Sequence, residues 1–289
     1  MSTGILTSQT TKAAPTTSAT DHVRVTFPRV VRSEWIKFRT LRSTIWTLAI
    51  TLTVMVGIVT LFSAILANQS ASVNARPGGP TSIDVFTIAA SMASLAVVVL
   101  SVLVITGEYS TGMIRSTLAA VPRRLPALWA KGLVLEASIL IVSAVAVVIS
   151  LGVMQLFLGS KGLAPDLGNA ETVRILVGVP LYLAGIALLA FAIGALMRHS
   201  AGALATVLGL LLVIENLFMI PWKPLQLISP FLPGTAGAKL LMTQAQLDAM
   251  TQGSHVGAVL SAWQGYGVLL AWGAVLLAIA AVLLRRRNA

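Results

Sequence analysis

Apolar and polar positions in this chain come in blocks rather than in alternation. Six long apolar runs lie near residues 44–67, 84–106, 132–158, 175–197, 201–220 and 264–284, with short polar segments between most of them. Each run holds about 20 or more residues, enough at about 1.5 Å per residue to cross roughly 30 Å of hydrocarbon. The pattern predicts an all-α membrane protein with six transmembrane helices. Only Arg198, His199 and Ser200 separate the fourth run from the fifth. That spacing predicts a tight turn between antiparallel neighbours.

The remaining segments differ in character. Residues 1–27 are rich in Ser, Thr and Ala and contain no apolar run, which predicts a disordered tail. The first long apolar run begins near Ile45, too late and too long for a secretory signal. From residue 28 the chain changes. Pro28 suits a first helical turn, and Val31, Trp35 and Phe38 fall at i, i+4 and i+7. Glu34, Arg32, Lys37, Arg39 and Arg42 surround that stripe. An amphipathic helix on the membrane surface follows, with a simple charged anchor as the alternative. Between the last two runs, Pro221, Pro224, Pro230 and Pro233 forbid a continuous helix. Leu225–Leu232 is too short to span. A re-entrant or interfacial element, then a short helix near 240–251, is expected there. Irregular backbone at membrane depth must be covered by protein or line a cavity, and an ordinary interfacial loop is the alternative.

Composition agrees with the pattern. The chain is 56% hydrophobic and 10% charged, against about 25% charged in a soluble domain. Its mean hydropathy is +0.90. There are no cysteines, which removes disulfides, thiolate metal sites and cysteine nucleophiles. The net charge is +11. Nucleic acid is a poor explanation, because the basic residues border the apolar runs.

Their distribution orients the chain. With the N-terminus in the cytoplasm, the inner segments hold Lys12, Arg24, Arg29, Arg32, Lys37, Arg39, Arg42, Arg115, Arg123, Arg124, Lys131, Arg198, Arg285, Arg286 and Arg287. The outer segments hold only Arg76, Lys161, Arg174, Lys223 and Lys239. The positive-inside rule therefore places both termini in the cytoplasm of a plasma-membrane protein.

Catalytic chemistry has little support. No Gly-x-x-x-x-Gly-Lys-Ser/Thr phosphate loop occurs, and Gly159-Ser160-Lys161-Gly162 lacks its spacing. His22, His199 and His255 lie in three unrelated segments, so no metal site is expected. There is no Gly-x-Ser-x-Gly elbow and no His-Glu-x-x-His. The reading is of a non-enzyme, with no catalytic residue and no cofactor of its own. Glu136, Glu215 and Asn216 are polar positions inside predicted spans, and intramembrane ionisable groups are functional candidates. Lys131 is five residues from Glu136, off the i+4 spacing of a good helical pair. Small-residue pairs such as Ala190/Gly194 would let helices approach closely.

The most informative stretch is the polar island after the second run: Gly107-Glu108-Tyr109-Ser110-Thr111-Gly112-Met113-Ile114-Arg115-Ser116-Thr117-Leu118. Gly107 is placed to end the span and Gly112 to bend the chain. Ser110 or Thr111 can cap a short helix, on which Ile114 and Leu118 share a face. Pro122 and Pro126 are placed to stop it. Two patterns carry a family resemblance. One is Val31-Arg32-Ser33-Glu34-Trp35-Ile36-Lys37-Phe38-Arg39 before the first run; the other is Glu108-Tyr109-x-x-Gly112-Met113-Ile114-Arg115 after the second.

Over about residues 28–284 the chain resembles ABC-2 type transporter permeases of actinobacteria. The resemblance implies a membrane permease subunit of an ATP-driven exporter, with a cytoplasmic interfacial helix, a cytoplasmic coupling helix between spans 2 and 3, and an extracellular re-entrant element between spans 5 and 6. It implies a separate ATP-binding subunit that uses ATP-Mg, and a second permease copy, as homodimer or heterodimer. It makes Glu108, Tyr109, Gly112, Met113, Ile114, Arg115 and Leu118 the partner-coupling residues, supported by Glu34, Trp35, Lys37, Phe38 and Arg39. The alternative is a nucleotide-independent secondary carrier, or a membrane sensor or assembly factor.

Overall fold

The computed structural model describes residues 26–68, 81–110, 112, 124–218, 220, 222–253 and 260–286. Among these residues every regular element is helical, and six helices are long and apolar enough to cross a membrane. The chain is a multi-pass membrane protein. Helix α1 is Phe27–Thr40, and α2 is Arg42–Asn68. Helix α3 is Ser82–Ser110, α4 is Arg124–Leu158 and α5 is Ala170–Met197. Helix α6 spans Ser200–Leu217. Three short helices follow: α7, Lys223–Ile228; α8, Pro233–Ala238; and α9, Gln244–Gly253. Helix α10, Ala262–Arg286, ends the described chain.

Helix α5 is the axis of the bundle. Of its most apolar window 83% is buried, against 17% for α6 and 22% for α2. It packs on α3, α4, α6 and α10. Small residues make this possible. A Cβ on Gly185 would come 2.6 Å from Leu269 Cδ2, and one on Gly194 would come 2.7 Å from Ile105 Cγ2. Gly194 is therefore used inside the chain, against α3, and Ala190 is buried one turn before it.

Helix boundaries differ from the apolar runs in instructive ways. Helix α3 continues through Gly107 and ends at Ser110. The left-handed turn falls at Gly112 (φ 71), whose N–H donates to the Tyr109 carbonyl. Helix α4 begins at Arg124, so Pro126 sits in its first turn. There a missing N–H costs nothing, and Pro126 starts the helix rather than stopping one. The turn between α5 and α6 is as tight as expected. Arg198 is left-handed (φ 56) with its N–H on the Gly194 carbonyl, and the His199 ring accepts from Gly202 N–H at 3.2 Å.

Helix α6 is interrupted by a π-helical turn at Gly209–Ile214. The extra residue in that turn re-aims the side chains beyond it. Between α6 and α10 the chain forms α7, a 3-10 turn at Ser229–Phe231, α8, a 3-10 turn at Lys239–Leu241 and then α9. The helix expected near 240–251 is thus a 3-10 turn followed by α9.

Candidate functional site

At the end of the bundle that carries α1, three elements meet through a buried ionic network. Lys131 Nζ, in the second turn of α4, donates to Glu34 Oε2 of α1 and to Glu108 Oε1 of α3, both at 2.8 Å. Lys37 Nζ donates to Glu34 Oε1 at 2.8 Å and lies 3.7 Å from Glu108 Oε1. Two carboxylates and two ammonium groups thus balance one another. The Glu34 side chain is 4% exposed, Glu108 9% and Lys131 10%.

Each side chain is positioned by its helix. On α1 the buried stripe is Val30, Glu34 and Phe38, at i, i+4 and i+8. This face is rotated from the Val31, Trp35, Phe38 stripe expected from sequence. Trp35 is 39% exposed, and Val31 is partly buried against the core. The rotation has a cause: an apolar count passes over an acid, yet Glu34 is buried because Lys131 waits beneath it. Arg39 is exposed on the same helix. On α3, Glu108 reaches the network because the helix continues past Gly107.

The electrostatics of the network is visible at α1. Burial alone would raise the Glu34 carboxyl, but the Lys131 ammonium, with help from Lys37, outweighs it and holds the group below its ordinary value. Burial would lower Lys37, but Glu34 and Glu108 raise it above its ordinary value. The four residues line one side of a cavity of about 360 Å³, whose other walls include Phe38, Leu41, Leu100, Leu103 and Val134.

A second contact joins the α5–α6 turn to the end of α3. The Arg198 guanidinium lies over the Tyr109 ring, 5.4 Å from its centroid. Glu108 and Tyr109 are therefore adjacent residues held by two different elements. Of the residues expected from sequence to couple to a partner, Glu108, Tyr109 and Gly112 lie here. Met113, Ile114, Arg115 and Leu118 lie outside the described residues, as does the short helix expected there. Lys131 and Arg198 were assigned no role from sequence. The signal for Lys131 was a lone cation at the start of an apolar run, with Glu108 just past the end of another and Glu34 in the basic stretch before the first.

The opposite end is held by other polar contacts. Glu215 follows the π-helical turn and accepts from Gly234 N–H at 2.6 Å and from the Thr235 hydroxyl at 3.0 Å. It caps the first turn of α8 with a side chain from another helix. Arg174 of α5 donates to the Leu240 and Met242 carbonyls at 3.0 and 2.7 Å, and the Thr87 hydroxyl of α3 donates to the Leu241 carbonyl at 2.9 Å. Trp272 Nε1 of α10 donates to the Phe231 carbonyl at 2.9 Å. The irregular segment 229–242 thus has its backbone covered by protein. Lys239 within it is buried. Asn216 is exposed and bonds back to the Leu212 carbonyl.

Glu136 lies apart from both ends, and its Oε1 is buried with no hydrogen-bond partner among the described residues. No group of three or more metal-ligating side chains occurs among the described residues. The ionic network joins α1, α3 and α4 through paired charges, which suits it to holding these helices together. No protein-family model matches the chain, and no curated protein matches it.

Proposed function

We propose that this chain is the membrane permease subunit of an ATP-driven exporter of the ABC-2 type, working with a separate ATP-binding subunit. The observation that carries the reading is the Glu34–Lys131–Glu108 network. It ties α1 to the two helices that flank residues 111–123, the segment that resembles a coupling element. A push on that segment would reach α1, α3 and α4 together, because their ends share one buried cation.

On this reading α1 is the interfacial helix, and the 107–126 cytoplasmic loop carries the coupling helix and is where the ATP-binding subunit docks. Segment 223–242 is the extracellular re-entrant element, and its covered backbone supports a place at membrane depth. Both termini are cytoplasmic, the membrane is the plasma membrane, and a second permease copy completes the transporter. The partner consumes ATP-Mg; this chain binds none. The neutral, buried network favours mechanical coupling over a carrier's proton relay, which would need a carboxylate free to exchange protons at that place.

Co-expression with the ATP-binding chain of its own operon, followed by affinity purification of either partner, tests the reading. The two are expected to co-purify, and Glu108→Ala or Arg115→Ala is expected to weaken the complex or uncouple transport with normal membrane insertion. Absence of co-purification with the unaltered chain would sink it. Transport that collapses with the proton gradient while ATP stays high would favour the secondary carrier instead.

A further inference from the structure

The corner between α1 and α2 leaves hydrogen-bond donors open. Helix α2, 27 residues long, begins at Arg42 with Leu41 before it. A leucine side chain offers no acceptor to a first turn. The N–H groups of Arg42, Ser43 and Thr44 meet no acceptor among the described residues. The Thr44 hydroxyl also has no hydrogen-bond partner among them, although Thr44 is only 2% exposed. Open donors and the helix dipole make such an end attractive to an anion.

The same corner wraps the cavity of about 360 Å³ beside the ionic network, where Lys37, Phe38, Thr40, Leu41, Ser43 and Thr44 belong to the lining. Arg39 and Arg42 alternate with these residues and are exposed. Over residues 27–47 the only acid is Glu34, which is buried on Lys131. Glu108, the other acid of the lining, is held by the same ammonium. The corner therefore offers positive charge and donors, while the α3 wall, Leu100, Leu103 and Val104, is apolar. Leu41 and Leu103 are exposed, so the cavity opens sideways. Trp35, Trp46 and Trp129, near the same ends of α1, α2 and α4, are exposed as well. Exposed tryptophans mark the headgroup layer of a bilayer.

We propose that this cavity binds an anionic bilayer phospholipid, with its phosphate at the start of α2 beside Arg42 and one acyl chain along the α3 wall. Charge and shape select it together. A cation finds both acids of the lining engaged, and a free phosphate would leave the apolar wall bare. The inference goes beyond the exporter reading and does not rest on it, since binding needs neither nucleotide nor partner.

The test reconstitutes the full chain in phosphatidylcholine vesicles containing phosphatidylglycerol with a photoactivatable diazirine on one acyl chain. Saturable labelling is expected, mapped by peptide mass spectrometry to residues 100–104. Unlabelled phosphatidylglycerol is expected to compete about tenfold better than phosphatidylcholine, and inorganic phosphate not at all. Leu103→Trp, which fills the cavity, is expected to abolish the saturable labelling. Arg42→Pro removes one charge and one N–H. Leu41 is already extended (φ -75, ψ 114), as a residue before proline prefers, and proline suits a first helical position. This variant is expected to keep the fold and lower the preference for phosphatidylglycerol about fivefold. Labelling that never saturates, equal competition by the two lipids, displacement by inorganic phosphate, or labelling undiminished by Leu103→Trp would each overturn the proposal. If Leu103→Trp fails to fold, the lipid competition and Arg42→Pro still decide. Either result leaves the co-purification test of the exporter reading untouched.

Discussion

Lys131 and Glu34 are 97 residues apart in the chain, and Lys131 Nζ donates to Glu34 Oε2 at 2.8 Å. The same ammonium holds Glu108 at 2.8 Å. Breaking a buried ion pair on one side costs about 3–5 kcal/mol, because the remaining charge is stranded. Lys131→Met leaves two buried carboxylates with only the Lys37 ammonium between them. It is expected to lower the stability of the detergent-solubilised protein by about that amount, measured by denaturant or thermal unfolding. Adding Glu34→Gln and Glu108→Gln is expected to recover most of the loss. The double exchange Glu108→Lys, Lys131→Glu is expected not to rescue, since it places the new lysine near Lys37 and the new acid against Glu34. Rescue by the exchange would reduce the network to a single pair.

The network also fixes a pH profile. The Glu34 carboxyl is held below its ordinary value of 4.5. Its contribution is complete above that value and is lost as pH falls through the lower folded value. Lys37 is raised above its ordinary value of 10.5. Its contribution is complete below that value and is lost as pH rises through the higher folded value. Between about pH 5 and pH 10 the contribution of both is therefore flat. Glu34→Gln is expected to flatten the acid limb of unfolding temperature against pH, and Lys37→Gln the alkaline limb. Variant and parent curves that stay parallel through the acid range would show that Glu34 does not carry the linkage.

Much of the architecture was legible because a membrane makes the signal coarse. A span is a run of apolar residues, and the six runs became the six long helices with ends shifted by a few residues. Where the ends moved, local chemistry explains it. Gly107 lies inside α3 because Glu108 finds a cation only if the helix continues, and Pro126 lies inside α4 because a first turn tolerates proline.

The ionic site was only half legible. Glu108 stands out in the sequence as a residue of the polar island and the coupling set, but Lys131 was weighed only against Glu136 in its own helix. Its true partners are 97 and 23 residues away, and helical spacing reports nothing about neighbours on other helices. The rotation of α1 was hidden for a related reason. A hydrophobic stripe is counted from apolar residues, and the centre of this one is Glu34.

At the opposite end, the π-helical turn at Gly209–Ile214 lets Glu215 cap α8. Gly234 makes room for it, since a Cβ there would lie 2.5 Å from Glu215 Oε2 and 2.8 Å from Oε1. Loss of a cap costs about 0.5–2 kcal/mol. Glu215→Ala is expected to destabilise by that amount and to speed amide exchange across residues 229–242. Gly234→Ala is expected to do the same in the parent and to add little in the Glu215→Ala background, because the clash and the cap involve the same oxygens. Strictly additive effects in the double variant would mean that the two residues act separately.

Arg198 sets two opposing terms against each other in one residue. Its φ of 56 is left-handed, a conformation that strains a residue with a Cβ by about 1–2 kcal/mol. Its guanidinium over Tyr109 returns about 0.5–1 kcal/mol at a partly exposed site. Arg198→Gly relieves the strain and loses the ring contact, so stability is expected to change by less than about 1 kcal/mol. Arg198→Ala keeps the strain and loses the contact, and is expected to be the less stable of the two by about 1 kcal/mol. Equal unfolding temperatures for the Gly and Ala variants would remove backbone strain from the account. If the contact also orients the end of α3, Arg198→Gly should keep the fold and yet weaken co-purification with the ATP-binding chain. That pairing of unchanged stability with weaker assembly separates a positioning role for Arg198 from a purely structural one.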